Sequence, residues 1–124
     1  LPLEKESIYP LGETTSEVCE ATLKYLETHE LPDAFIMENY QISIGVMRAL
    51  RQKKNSVPED ISLLGVDEIP DYLTGDILLT TLRMEHLERA HVAMLFLEQE
   101  MKGAISCKFK SFSTCKIIPG QTVK

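Results

Sequence analysis

The stretch ISLLGVDEIP, residues 61–70, decides how this chain is read. Ile61, Leu63, Leu64 and Val66 form a short aliphatic run, bounded before by the turn-rich connector Asn55 to Asp60 and after by Pro70. That is how a strand buried on both faces reads. Two carboxylates, Asp67 and Glu68, stand just past its end. In open parallel α/β sheets ligands bind outside the carboxyl ends of the strands, so Asp67 is either a binding group or a solvated loop acid.

Working outward, the same grammar recurs. Toward the N-terminus, Thr14 can cap a helix with Glu17 as its capping-box partner, and Val18, Ala21, Thr22, Tyr25 and Leu26 follow at helical spacing up to His29. Leu31-Pro32-Asp33 breaks the chain, and Ala34 to Met37 reads as the next strand. Ile42, Val46, Met47 and Leu50 mark a second helix reaching about Lys54, with Ile44 and Arg48 on another face. Helix, loop and strand alternate, which implies an α/β fold: a parallel sheet flanked by helices. Beyond Pro70, Ile77 to Leu82 forms another apolar segment. A long helix from about Glu85 to Lys102 carries Leu87, Ala90, His91, Met94 and Leu95 on one face and stops at Gly103. The tail reads as one or two extended strands ending at Pro119-Gly120.

Composition bounds the function. A chain of 124 residues supports one core. Thirteen basic residues against nineteen acidic ones, net −6, with no basic face at helical spacing, make a poor nucleic-acid binder by itself. The longest apolar run, Val92 to Leu97, is far short of the roughly 20 residues of a membrane helix, so no membrane contact is expected. The N-terminal LPLEKESIYP does not have the pattern of a signal peptide. Cys19, Cys107 and Cys115 are odd in number and lack C-x-x-C spacing, which suits a reducing cytoplasm better than a disulfide framework or a zinc site.

Catalytic patterns are missing too. His86 and His91 lie about 140° apart around a helix, so they do not share a face as metal ligands would. His91 is expected as a hydrogen-bonded core histidine, and His86 as part of the helix start. Adjacent Asp67 and Glu68 point to opposite sides of an extended segment and cannot act as a facing pair. No nucleophile elbow, Walker loop or G-x-G-x-x-G occurs. The expectation is a protein that is not an enzyme and needs no cofactor.

Asn39 and Asp67 remain, each just after a strand. At neighbouring strand ends they would converge on one crevice, an amide donating and accepting beside a carboxylate that accepts. That suits vicinal hydroxyls, hence a sugar or polyol. A helix cap or a loop hydrogen bond explains either residue equally well.

The run LPDAFIMENYQISIGVMRALRQKKNSVPEDISLLGVDEIP, then LLTTLRMEHLERAHVAMLFLEQEM and a terminal KIIPGQTV, resembles the effector-binding domain of the lactose-repressor/galactose-repressor family of bacterial transcription regulators. The resemblance covers about Tyr9 to Val123. It implies a periplasmic-binding-protein-like type I fold, with this chain as an incomplete C-terminal subdomain. Residues 1–84 would belong to that subdomain, 85–113 to the N-terminal one, and 114–124 to the C-terminal return.

The family's Ala-Asn-Asp motif matches Glu38, Asn39 and Tyr40, which keeps the effector-contacting Asn and replaces the Asp. Its Gly-aromatic-Asp-Asp motif matches Gly65, Val66, Asp67 and Glu68, placing a ligand of sugar hydroxyls at Asp67. Met84 stands where a polar residue usually follows the Thr-Thr pair, and His86 stands in place of an aromatic. Arg is common in the family where this chain has Pro119. The implied ligand-binding set is therefore Asn39, Tyr40, Asp67, Met84 and His86.

Family dimers imply an interface at Ile44, Met47, Arg48 and Tyr72, the last within the loop about Asp71 to Asp76. The implied partners are a small-molecule effector, a sugar or derivative, and operator DNA reached through a helix-turn-helix headpiece absent from this chain. The apolar stripe of the long helix adds the expectation of self-association, as a homodimer or a swapped dimer. The alternative is an exported sugar-binding protein serving a transporter.

Overall fold

The computed structural model describes residues 7–67, 69, 75, 77–104 and 110–124. Helix α1 spans Thr15–Thr28. Its capping box is complete: the Thr14 hydroxyl accepts from Glu17 N at 3.3 Å, and Glu17 Oε2 accepts from Thr14 N at 3.0 Å. Those two bonds satisfy backbone donors that a first helical turn leaves without partners. Strand β1 is Ala34–Met37 and α2 is Tyr40–Lys53, closed by Lys54 in a left-handed conformation.

Strands β2 (Ser62–Val66) and β3 (Thr80–Met84), helix α3 (His86–Met101) and strand β4 (Cys115–Ile118) follow. The sheet order is β1-β2-β3-β4, with β1, β2 and β3 parallel and β4 antiparallel to β3. The fold is therefore the expected α/β sheet flanked by helices, with one antiparallel edge strand.

One core unites the layers. Val18 of α1, Ile44, Val46 and Leu50 of α2, and Met37, Ile61, Leu63, Ile69 and Leu79 from in and around the sheet form a single buried cluster. Contact between α1 and α2 depends on Gly45, where an added Cβ would lie 2.5 Å from Val18 Cγ1 and 2.9 Å from the Thr15 carbonyl oxygen.

The C-terminal segment enters between the lower ends of β2 and β3. Leu63 N donates to Thr122 O at 2.7 Å. The buried Thr122 hydroxyl donates to Leu63 O at 2.7 Å and accepts from Thr80 N at 2.9 Å. Leu78 is paired in the same way, receiving Gln121 N on its carbonyl and donating to Gln121 Oε1. Gly120 is required here because a Cβ would fall 2.3 Å from Leu78 O.

Several expectations change. Of the apolar segment Ile77 to Leu82 only Thr80 onward joins the sheet, because the backbone of Leu78 is paired with Gln121 and not with β2. Strand β2 is not buried on both faces: Leu63 and Gly65 are buried while Ser62, Leu64 and Val66 are half-buried. Parallel sheets normally carry helices on both sides, and here α2 packs on β1 and β2 with α1 behind it. His91 of α3 is an exposed residue, not a core histidine, while the apolar stripe of the helix is uncovered, as the expectation of self-association presumes. Glu68, Tyr72, Cys107 and the loop residues 71–74 and 76 lie outside the described residues.

Three outcomes follow from this packing. Thr122→Val keeps the side-chain shape but strips Thr80 N–H of its acceptor, so urea unfolding should show a loss of about 1–3 kcal/mol. A loss of only a few tenths would mean that the Thr122 hydroxyl does not hold β2 and β3 together. Gly45→Ala should destabilise by about 1–3 kcal/mol, as overpacking does, and thermal unfolding measures it. Finally, the Thr14 N–H, helped by the Thr14 hydroxyl and the Glu13 N–H, holds the Glu17 carboxyl below its ordinary value of 4.5. A depressed folded pKa means that the unfolded chain binds more protons in that window. The stabilisation is therefore present above 4.5 and lost as pH falls through the folded value. Glu17→Gln should flatten that acid limb in unfolding curves recorded against pH.

Candidate functional site

Pairing register brings the candidate residues to one edge of the sheet. Met37 of β1 is level with Gly65 of β2, and Asn39 and Asp67 each lie two residues further on. Ser43, in the first turns of α2, is buried, and its Oγ would lie 3.3 Å from a Cβ placed on Gly65. The N-terminus of α2 thus packs on the carboxyl end of β2, and the glycine permits that close approach.

Asn39 is the N-cap of α2. Its Oδ1 accepts from Ile42 N at 3.0 Å, and its carbonyl accepts from Ser43 N and, at 2.9 Å, from the Ser43 hydroxyl. The cap is therefore real, and it occupies the side-chain oxygen. The amide Nδ2, the donor half, makes no hydrogen bond among the described residues. Tyr40 begins the helix at the same edge and is 45% exposed.

Asp67 adopts a left-handed backbone, φ 70°, as the chain leaves β2. Aspartate tolerates this better than most residues, and such conformations concentrate at binding sites. Its N–H donates to Leu82 O at 3.0 Å, which anchors the turn to β3. Its side chain meets His86: Nε2 lies 3.2 Å from Oδ1, with side-chain exposures of 62% for His86 and 36% for Asp67. A carboxylate only accepts, so Nε2 carries the proton in this contact, a tautomer assigned from the partner.

Met84, half-buried at the end of β3, has its Sδ 3.2 Å from Arg89 Nη1. Beside it Lys116 Nζ lies 2.7 Å from Glu85 Oε1. The lysine, by hydrogen bond and charge, lowers the Glu85 carboxyl from its ordinary value. Asp67, Met84 and His86 thus gather at the junction of β2, β3 and α3, with Asn39 and Tyr40 on the neighbouring strand end.

Glu85, Arg89 and Lys116 were not among the site residues expected from the sequence. Arg89 could have been found by its helical spacing from Glu85. Lys116 could not, because its place depends on β4 returning antiparallel to β3.

Of the interface candidates, Arg48 is exposed and Met47 is half-buried against the core, whereas Ile44 is 8% exposed inside this chain's own core. That packing takes Ile44 away from a surface shared with a partner. Among the described residues no group of three or more His, Cys, Asp or Glu side chains could hold a metal ion. No helix there is long and apolar enough to cross a membrane. A shallow hollow of about 300 Å³ runs along α3, lined by His91, Met94, Leu95, Leu97, Glu98 and Met101. It shares no residue with the strand-end site.

Residues 3–123 match the model of the periplasmic binding protein-like domain. Among known proteins, the arabinose metabolism transcriptional repressor of Geobacillus stearothermophilus is 31% identical over 77 residues, covering 60% of this chain and 21% of the repressor. A LacI family transcriptional regulator from Arthrobacter sp. FB24, solved in complex with lactose, is 25% identical with a TM-score of 0.73, over 90% of this chain and 43% of that one. The transcription regulator CcpA of Lactococcus lactis is 16% identical with a TM-score of 0.78, covering 99% of this chain and 45% of its own. The lac repressor dimer bound to operator and the anti-inducer ONPF shares the fold at a TM-score of 0.77 and 23% identity, over 89% of this chain and 38% of the repressor. This chain spans less than half the length of each of these relatives. It belongs to the periplasmic binding protein-like domain family and corresponds to part of the domain that regulators of the lactose-repressor/galactose-repressor type carry.

Proposed function

We propose that this chain is the effector-sensing and dimerisation part of a cytoplasmic transcription regulator, and that it performs no catalysis. A sugar-like molecule binds at the carboxyl edge of the parallel strands and biases the arrangement of a helix-turn-helix headpiece on operator DNA. The observation that carries this reading is the level placement of Asn39 and Asp67 past the Met37↔Gly65 pair, at the strand ends where such folds take ligands. Asp67 would accept from hydroxyls and Asn39 Nδ2 would donate to one. Tyr40 and His86 would offer their rings to the same ligand, and Met84 would add an apolar contact. Nothing in this arrangement calls for a cofactor.

The relatives support the ligand class. One neighbour was solved with lactose, and the sequence relative represses arabinose metabolism. Those two sugars are the first to test. Dimerisation would use the outer face of α2 through Met47 and Arg48.

Asp67→Ala in the full-length protein should weaken effector binding ten- to a hundred-fold. That range reflects the roughly 1.5–3 kcal/mol of a hydrogen bond to a charged group. Calorimetry and operator release, with arabinose, lactose and a wider panel of mono- and disaccharides, measure it. Unchanged affinity for the responding sugar would sink the assignment of Asp67.

A further inference from the structure

The N-cap of α2 is held by more than a helix needs. Asn39, in extended backbone, accepts three hydrogen bonds from the turn that follows it. Ile42 N donates to its Oδ1 at 3.0 Å, and its carbonyl oxygen takes both Ser43 N at 3.0 Å and Ser43 Oγ at 2.9 Å. The two N–H donors come with any helical sequence, so the Ser43 hydroxyl is the one member that a choice of side chain supplies. That serine is fully buried. Helix stability alone favours alanine, because alanine is the better helix former and a serine bonded back to the carbonyl four residues earlier slightly weakens its helix. An alanine at this position would still leave the Asn39 carbonyl paired through the backbone N–H.

We infer that Ser43 is a positioning residue of the strand-end site, whose buried hydroxyl sets Asn39 relative to Asp67. Its Oγ meets the Asn39 carbonyl and lies 3.3 Å from the place a Cβ on Gly65 would take. Gly65 is level with Met37, and each stands two residues before its site residue, Asp67 and Asn39. One oxygen therefore joins the end of β1, by a hydrogen bond, to the end of β2, by close approach. With the Asn39 backbone fixed and Oδ1 engaged by Ile42 N, the amide keeps one orientation, and its Nδ2 donor keeps it too. Without the hydroxyl, the Asn39 peptide hangs on a single N–H and the amide rocks with it. All of these contacts lie where α2 packs on the sheet, within this chain's own core. The inference rests on Asn39 Nδ2 being a binding donor of the proposed site.

The test reads the Asn39 side-chain amide directly, by NMR hydrogen exchange in the full-length protein isotopically labelled on asparagine and free of any sugar. Asn39→Asp keeps a capping oxygen and identifies the signal by its loss. In Ser43→Ala the Asn39 amide should exchange about two- to ten-fold faster, the scale of one hydrogen bond. The Asn55 side-chain amide and the melting temperature should stay at their wild-type values. An Asn39 amide that exchanges at the wild-type rate in Ser43→Ala would overturn the inference. So would a fall in melting temperature with Asn39 and Asn55 loosened alike, which marks a serine that only supports the helix. Because no sugar is present, failure here leaves the Asp67 affinity measurement standing, and loss of the Asp67 assignment would leave the amide exchange unaltered.

Discussion

The fold turns on a single buried hydroxyl. Thr122 supplies the backbone partner that Leu63 lacks on its β3 side, and its Oγ1 bridges Leu63 O to Thr80 N. Without it, two strand ends would carry unpaired polar groups inside the core, and each such group costs more than an ordinary hydrogen bond contributes. The consequence reaches both ways along the chain. The last residues become structural, although termini are ordinarily loose, and β3 cannot begin until Thr80. That onset sets where β3 ends, and therefore where Met84, Glu85 and His86 emerge beside Asp67.

The local half of this was legible in the sequence. Thr14 and Glu17 announce their capping box by spacing alone, and Ala34–Met37 is delimited by Pro32-Asp33 before it and Asn39 after it. These features depend on neighbours a few residues away. Thr122 does not: its partners lie 42 and 59 residues back, and a lone threonine near a terminus gives no sign of them. The same distance hides Lys116, which looks like one more surface cation until β4 returns beside β3. Leu87, Met94 and Leu95 read as an apolar stripe and stand uncovered as one, whereas His91 among them, read as a core histidine, misled. Their spacing truly describes an amphipathic face, but periodicity reports what a helix could bury and not whether this chain provides the cover.

The site was legible as positions more than as chemistry. The ends of β1 and β2 could be read from the apolar runs, so Asn39 and Asp67 were found, and the register puts them level. Their commitments could not be read. Asn39 was weighed as a cap or as a binding amide, and it is the cap with its oxygen while its nitrogen stays out of that bond. The hydrogen bonds show the cap, and the binding reading is left as a proposal for the nitrogen alone. Capping fixes the amide plane, which is the preorganisation a binding donor needs.

Uncovered apolar surface forms a pattern on this chain. Ile36 of β1 is 72% exposed and Ile117 of β4 is 66% exposed, at opposite edges of one sheet face where Leu64, Val66 and Leu82 are only half-buried. Register puts Ile36 beside Leu64 and Leu82 beside Ile117, so the stripe is continuous across all four strands. A strand ladder protects its backbone whether or not a face is covered, but the side chains gain transfer free energy only when something lies on them. On the other face Val18 of α1 and Ile44, Val46 and Leu50 of α2 pack into the core cluster. The stability of this chain is therefore one-sided, and the strand-end site is better supported from the α2 side than from the α3 side. Asn39 sits on a packed helix terminus, whereas His86 sits on a helix with no buried residue. The carboxyl edge of the strands thus has a well-packed half and a sparsely packed half, and Asp67, anchored to Leu82 through its backbone and joined to His86 through its side chain, stands on the boundary between them.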